Sequence, residues 1–265
     1  MTGLRHFLVA LQFFTRIPIT GSLARWVGFE PDMLRASAGH FPGVGWIVGA
    51  VGTAVMWAGL LLLPGEAGAL AAALLGLAAT VWLTGAFHED GLTDMIDGLG
   101  GSAERERALE IMKDSRIGAF GAIALVLAVG LKVVLLAALA GQGALHVVLA
   151  LVSAHVLSRL APLFLIRWLP YVGDENAASK SKPLADAIDN GALLVGLAWS
   201  LPAMAWLVMT LGIARGLAPV LLCGIAALFM ARLLRRRLRG FTGDGLGATQ
   251  QVCELAIYLA LAWHV

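Results

Sequence analysis

An all-α, polytopic membrane protein of about seven transmembrane helices is the fold class that the sequence predicts, and three observations predict it. The chain of 265 residues is 59% hydrophobic and only 14% charged, with a mean hydropathy of +0.84, well above a soluble domain of this size. Apolar runs of about 20 residues, the length that crosses a bilayer, recur along it. The period-2 alternation of an outer-membrane barrel is missing, which leaves helices as the spanning element.

The elements follow in order. Residues 1–42 form a cytoplasmic or interfacial segment that opens with "LRHFLVALQFFTRIPIT". Its apolar block, Phe7 to Phe14, is too short to span and predicts a helix lying in the interface, with arginines at the headgroups. Pro18 ends that helix, and no cleavage site follows an early apolar stretch. Spans then begin near Gly43, Gly68, Gly118, Leu145, Gly191, Gly216 and Gly247. Short turns at Pro64-Gly65-Glu66, Gly141-Gln142-Gly143 and Arg215-Gly216 put the long connections, 88–117, 167–190 and 235–246, on one face of the membrane. Of the 19 Lys and Arg, all but Lys132, Arg159 and Arg215 fall on that face. The positive-inside rule makes it the cytoplasm, with the N-terminus cytoplasmic and the C-terminus external. No linker or repeat divides the chain, so 1–265 reads as one integral-membrane domain. Cys223 and Cys253 sit in apolar runs and read as small buried hydrophobes. The net charge is +2, and no nucleic-acid partner is expected.

The chemistry concentrates in the cytoplasmic segment 88–117. In "FHEDGLTDMIDGLGG" four carboxylates, Glu89, Asp90, Asp94 and Asp97, fall within nine positions, where like-charge repulsion works against a helix. If the helix of the second span continues, Asp90, Asp94 and Asp97 share one face at i, i+4 and i+7. Hard oxygen donors in that pattern suit Mg²⁺ or Mn²⁺; a solvated acidic face is the alternative. "IMKDSRIGAFG" follows, where Lys113, Arg116 and Ser115 suit phosphate oxygens and Asp114 suits the metal or a base. A juxtamembrane basic anchor is the alternative. The intervening "SAERERALE" reads as an exposed helix.

Other candidates lie further along. Arg159, inside the fourth apolar run, is costly there and faces a cavity or partner, or else snorkels. Asp244 stands between glycines in "GFTGDGLGATQQVCE", before Gln250, Gln251 and Glu254, which read equally as ligand-facing or as helix cement. His88 borders the acidic face as a candidate acid or base. His40 reads as a satisfied interfacial group, and His6, His146, His155 and His264 as structural. "DENAASKSKPLADAIDN" reads as a mobile lid or connector, with Lys180 and Lys182 enforcing topology or attracting phosphate. Three function classes fit loosely: a phosphotransferase, a membrane prenyltransferase with Asp186 and Asp189 in a second acidic motif, and a transporter. Charges gathered on one side rather than at midplane favour an enzyme.

"TRIPIT", "HFPGVGWIVG", "FHEDGLTDMIDGLGG", "ALEIMKDSRIGAFG" and "TGDGLGATQQVCE" together resemble, in order and over nearly the whole chain, the cobalamin 5'-phosphate synthase (adenosylcobinamide-GDP ribazoletransferase) family. The resemblance implies a Mg²⁺-dependent transferase. An α-ribazole or α-ribazole 5'-phosphate hydroxyl attacks the phosphate of adenosylcobinamide-GDP and expels GMP. It implies a multi-pass protein of the bacterial or archaeal cytoplasmic (inner) membrane with its active site in the cytosol. Its partners would be the corrinoid-GDP, the ribazole and the bilayer, with a homo-oligomer or a complex with other cobalamin-pathway enzymes as a further expectation. It also implies Glu89, Asp90, Asp94 and Asp97 as metal ligands, with Asp97, Asp114 and His88 as catalytic candidates. Lys113 and Arg116 are then phosphate contacts and Asp244 a secondary candidate, while Ser115 and Arg159, from their own positions, complete the substrate and phosphate contacts.

Overall fold

A computed structural model describes residues 2–28, 31–173 and 188–263. Lys180, Lys182, Asp186 and His264 lie outside the described residues, as does most of the expected lid. Thirteen α-helices account for nearly all that is described, and among the described residues the sole β feature is an isolated parallel bridge between Tyr171 and Phe241. Lack of water in the bilayer forces each backbone to satisfy itself, and helices do so segment by segment.

Helix α1 (Thr2–Phe14) is 13 residues long, about 20 Å and too short to span. It buries Val9, Ala10, Leu11 and Phe14 against α3 (Pro31–Ser37) and α4 (Phe41–Leu62); the short α2 (Gly21–Val27) lies beside it. The helix stops four residues before Pro18, and the Arg16 amide donates to the Leu83 carbonyl at 2.7 Å, pinning this segment to the end of α5 (Gly65–Thr84).

Six stretches among the described residues are long and apolar enough to cross a membrane: 33–62, 65–84, 119–141, 144–168, 190–211 and 213–237. The first joins α3, a 3-10 turn at 38–40 and α4, so the span expected near Gly43 begins inside the segment expected to be interfacial. The next four are α5, α8 (Ala119–Gly141), the pair α9 (Ala144–Ser158) and α10 (Ala161–Trp168), and α11 (Asn190–Leu211). The sixth is α12 (Ile213–Arg237). Pro162 at the start of α10 has no N–H to return to α9, and the span bends at Arg159-Leu160. Helix α4 meets α9 through Gly45 and Gly49; a Cβ on Gly49 would lie 2.8 Å from the Val152 Cα, the small-residue contact that lets spans approach.

The seventh expected span is α13 (Gly243–Ala262). It is long enough to cross, but Gln250, Gln251 and Glu254 dilute its apolar content. The bundle encloses it instead: α6, α8, α9 and α12 all pack on it, and all three polar groups are buried. The expected acidic connection is itself helical, as α6 (Phe87–Gly101) and α7 (Arg105–Met112). Helix α7 is the exposed charged helix that its pattern predicts, with Arg107 and Glu110 paired at 2.8 Å.

Candidate active site

Gly85 and Ala86 are both left-handed, at φ 66° and 58°. Gly85 takes this conformation freely and Ala86 at a cost, so the break is imposed by what surrounds it. It ends α5 and starts α6 in a new direction, with the Asp90 amide donating to the Ala86 carbonyl at 2.9 Å. Within α6 the spacing keeps Asp90, Asp94 and Asp97 on one face.

Helix α13 crosses α6 where both carry glycine. A Cβ on Gly91 would lie 3.0 Å from the Asp244 carbonyl oxygen and 3.3 Å from the Gly247 Cα. The first turn of α13 is fixed by Thr242, whose hydroxyl accepts from the Gly245 amide at 3.0 Å, an N-cap. Asp244 thus comes beside Asp90 and Asp94. Burial, then the charges of Asp90, Asp244 and Asp97, push the Asp94 carboxyl up to about 7.

Asp97, an expected ligand and catalytic group, is engaged elsewhere. Its two oxygens accept from the Gly118 amide at 2.7 Å and the Gly121 amide at 2.8 Å. A carboxylate there completes the orphan donors of the α8 N-terminus and meets its dipole. A side chain on Gly121 would run into this carboxylate and into the Thr93 carbonyl, which accounts for the glycines in "RIGAFG".

Glu89 also departs from the expected cluster, because it faces the bundle interior. Gln251 donates to it at 3.0 Å, while its second oxygen is buried without a partner among the described residues. Lys132, on α8, donates to Gln251 at 2.8 Å and pairs with Glu254 at 3.0 Å. Gln250 donates to Glu254 and Ser158, both at 2.9 Å, and the Tyr258 hydroxyl donates to Glu254 at 3.1 Å. This network ties α6, α8, α9 and α13 together, and sequence reasoning did not assemble it. Its signals were the lone Lys132 in an apolar run and the polar positions of α13.

The basic candidates line the α7–α8 turn. Lys113, Ser115 and Arg116 are exposed, and Arg116 grips Asp114 through contacts of 2.6 to 3.2 Å. The guanidinium holds the Asp114 carboxyl down at about 2, a weak base while that pair persists. His88 is buried, and burial, then the Arg159 charge, keep its imidazole neutral by holding its pKa well below the usual value. Its ring lies nearly parallel to Phe14 at 5.5 Å. Arg159 sits at the α9–α10 bend, bonded through Nη1 to the His155 ring and carbonyl at 3.1 and 2.9 Å. Asp189 caps α11, accepting from the Ala192 amide at 2.7 Å, and His40 accepts from the Trp199 indole at 3.0 Å.

No group of three or more His, Cys, Asp or Glu side chains converges as around a metal ion among the described residues. Mg²⁺ does not require one, because it keeps several waters and binds through one or two carboxylates plus substrate phosphates. Asp90, Asp94 and Asp244 supply hard oxygen donors whose mutual repulsion calls for a cation. The residues present therefore fit the ion.

Comparison with known proteins adds the family. A family model described as cobalamin-5-phosphate synthase matches residues 6–262. The adenosylcobinamide-GDP ribazoletransferase of Albidiferax ferrireducens is 58% identical, over 98% of this chain and 98% of that protein. Proteins of the same name from Polaromonas naphthalenivorans and Ralstonia nicotianae are 53% and 42% identical, over 98% of this chain and 98% and 95% of theirs. No solved structure matches the chain.

Proposed function

Because the chain belongs to the cobalamin-5-phosphate synthase family, we propose that its reaction takes place at the crossing of α6 and α13, with Asp90, Asp94 and Asp244 holding Mg²⁺. The chain is a multi-pass membrane transferase of cobalamin synthesis. It joins α-ribazole, free or as the 5'-phosphate, to adenosylcobinamide-GDP and releases GMP. Prenyl transfer and transport are not favoured, since the relatives share one name.

One observation carries the siting: the glycine contact of Gly91 and Gly247 brings Asp244 beside Asp90 and Asp94 from a distant part of the chain. The ribazole hydroxyl attacks the corrinoid-side phosphorus, a new P–O bond forms, and the anhydride bond to GMP breaks. When bound, Mg²⁺ neutralises the anhydride and the charge that develops on the leaving phosphate. Asp97 keeps the α8 N-terminus docked against α6, so that the turn bearing Lys113, Ser115 and Arg116 stays beside the acidic face. Arg116 offers a guanylate phosphate the same two-oxygen grip that it now gives Asp114. Exchange of one for the other releases Asp114 from the cation that weakens it as a base, and gives it a role in moving the hydroxyl proton.

The acidic crossing lies at the end of the bundle where Arg105 donates to the Leu238 carbonyl at 2.7 Å and Arg237 to those of Leu99 and Ser102 at 3.1 and 2.6 Å. That basic end supports a cytosolic active site in the inner membrane. A homo-oligomer, or a complex with other pathway enzymes, is part of the proposal without bearing on the chemistry. The test is GMP release by the purified protein in detergent from both substrates, with and without Mg²⁺, and in Asp244→Asn. Metal-dependent release that Asp244→Asn loses supports the siting. Undiminished release in that variant overturns it.

A further inference from the structure

The exposed face of α12 changes character at its basic end. Leu217, Leu221, Ile225, Leu228 and Phe229 are all exposed and recur at helical spacing, so they form one stripe. It lies across the helix from Gly216, Pro219, Cys223, Met230 and Leu234, the side buried in the bundle. The stripe therefore faces lipid. It runs for about 18 Å, close to the roughly 15 Å of hydrocarbon in one leaflet. Arg232, Arg235 and Arg236, also exposed, continue the same stripe at i, i+3 and i+4.

These three cations differ from their neighbours at the same end of the bundle. Arg105, Arg107 and Arg116 pair with Glu106, Glu110 and Asp114, and Arg237 donates to two backbone carbonyls. Arg239 has Glu106 as a charged neighbour. No carboxylate pairs with Arg232, Arg235 or Arg236 among the described residues. The positive-inside rule asks for cations at this end, but not for three of them above one lipid-facing stripe. A second copy packed symmetrically through this face would set arginine against arginine. A soluble anion would use the arginines and leave the apolar stripe unused. A phospholipid with a net negative headgroup fits both parts, its chain along the stripe and its phosphate among the guanidinium groups.

We propose that the basic end of α12 binds one anionic phospholipid, with Arg232, Arg235 and Arg236 on its phosphate and the stripe from Leu217 to Phe229 along an acyl chain. A zwitterionic lipid is a poorer occupant, because the cation in its own headgroup opposes the arginines. The next residue, Arg237, donates to the Leu99 and Ser102 carbonyls, so a lipid held here braces the turn that fastens the end of α6. The site stands apart from the reaction proposed above and does not depend on it.

Native mass spectrometry of the full chain in detergent measures the binding of phosphatidylglycerol and of phosphatidylcholine with the same acyl chains. Phosphatidylglycerol should bind at least about tenfold more tightly. Each arginine near an anionic surface is worth about fivefold, so Arg235→Gln should lose about that much affinity for phosphatidylglycerol. Arg232→Gln/Arg235→Gln/Arg236→Gln should bind the two lipids alike. Arg25→Gln/Arg107→Gln/Arg167→Gln removes the same charge from the same end and should keep the preference. Excess inorganic phosphate should not displace the lipid, and phosphatidylglycerol should raise the melting temperature of the wild type. The proposal falls if the wild type binds both lipids alike or is not stabilised by phosphatidylglycerol. It also falls if Arg235→Gln keeps full affinity, or if the control triple variant loses the preference too. Displacement by phosphate would make this a soluble-anion site and overturn the lipid. If the α12 triple variant does not fold, the wild type, Arg235→Gln and the phosphate competition still decide.

Discussion

Replacing Gly91 with alanine tests whether the closeness of α6 and α13 makes the active site. The added Cβ would meet the Asp244 carbonyl oxygen at 3.0 Å, the Asp244 Cα at 3.1 Å and the Gly247 Cα at 3.3 Å. All three are backbone atoms of one helix, so no side chain can swing away to relieve them. Carbon atoms settle at about 3.5–4.0 Å, so the two helices must separate by a few tenths of an ångström. Overpacking of this kind costs about 1–3 kcal/mol. The separation moves Asp244 away from Asp90 and Asp94, and small misplacements of reacting groups are costly in rate. The assay is a Mg²⁺ titration of GMP release, beside a thermal melt. Gly91→Ala should raise the Mg²⁺ requirement about tenfold, equivalent to about 1.4 kcal/mol. Gly49→Ala is the control, since its Cβ would lie 2.8 Å from Val152 Cα at the α4–α9 contact. It should lower the melting temperature by a similar amount and leave the Mg²⁺ requirement alone. If both variants melt earlier and neither changes the requirement, the crossing is packing and nothing more.

Three further outcomes are expected. With Asp94 raised to about 7, its contribution to the stability of the metal-free fold is fully present below the unfolded carboxyl value of about 4 and is lost as pH rises through about 7. Mg²⁺ binding needs the ionised carboxyl, so Mg²⁺ affinity should rise with pH and level off above about 7; a curve in Asp94→Asn as steep as in wild type would refute this. Asp97→Ala strips the acceptors from the Gly118 and Gly121 amides and should cost about 1–3 kcal/mol in a denaturation assay, whereas Asp90→Ala relieves repulsion and should melt no earlier than wild type while losing turnover. Lys132→Met leaves the Glu254 charge buried without its paired cation and should cost about 3–5 kcal/mol. Most of that should return in Lys132→Met/Glu254→Gln, and equal yields of folded protein from all three chains would contradict the pairing.

Much of the bundle was legible because bilayer thickness sets a length that composition reveals. The expected starts near Gly68, Gly118, Leu145 and Gly191 fall within three residues of α5, α8, α9 and α11. Helix α13 was recognised by length, but its enclosure was not, because which helix lies at the centre depends on how the others pack. The acidic face of α6 followed from spacing alone. Position 89 lies about 100° around the helix from position 90, which is why Glu89 faces Gln251 while Asp90 faces solvent. The roles of Asp97 and Asp244 needed the third dimension, since each is set by a helix remote in sequence. Nothing in the residue type marked Ala86 as left-handed.

The Lys132–Glu254 pair also constrains how the molecule is made. A lysine at the middle of α8 and a glutamate within α13 are each expensive in lipid alone, and α8 is synthesised long before α13. Until α13 arrives, Lys132 has neither Glu254 nor Gln251 for company, so α8 must wait at the insertion machinery or beside other helices rather than disperse into lipid. The arrival of α13 neutralises that cation and brings Asp244 to α6 in the same movement. On the siting proposed above, completion of the bundle and completion of the acidic site are therefore the same step.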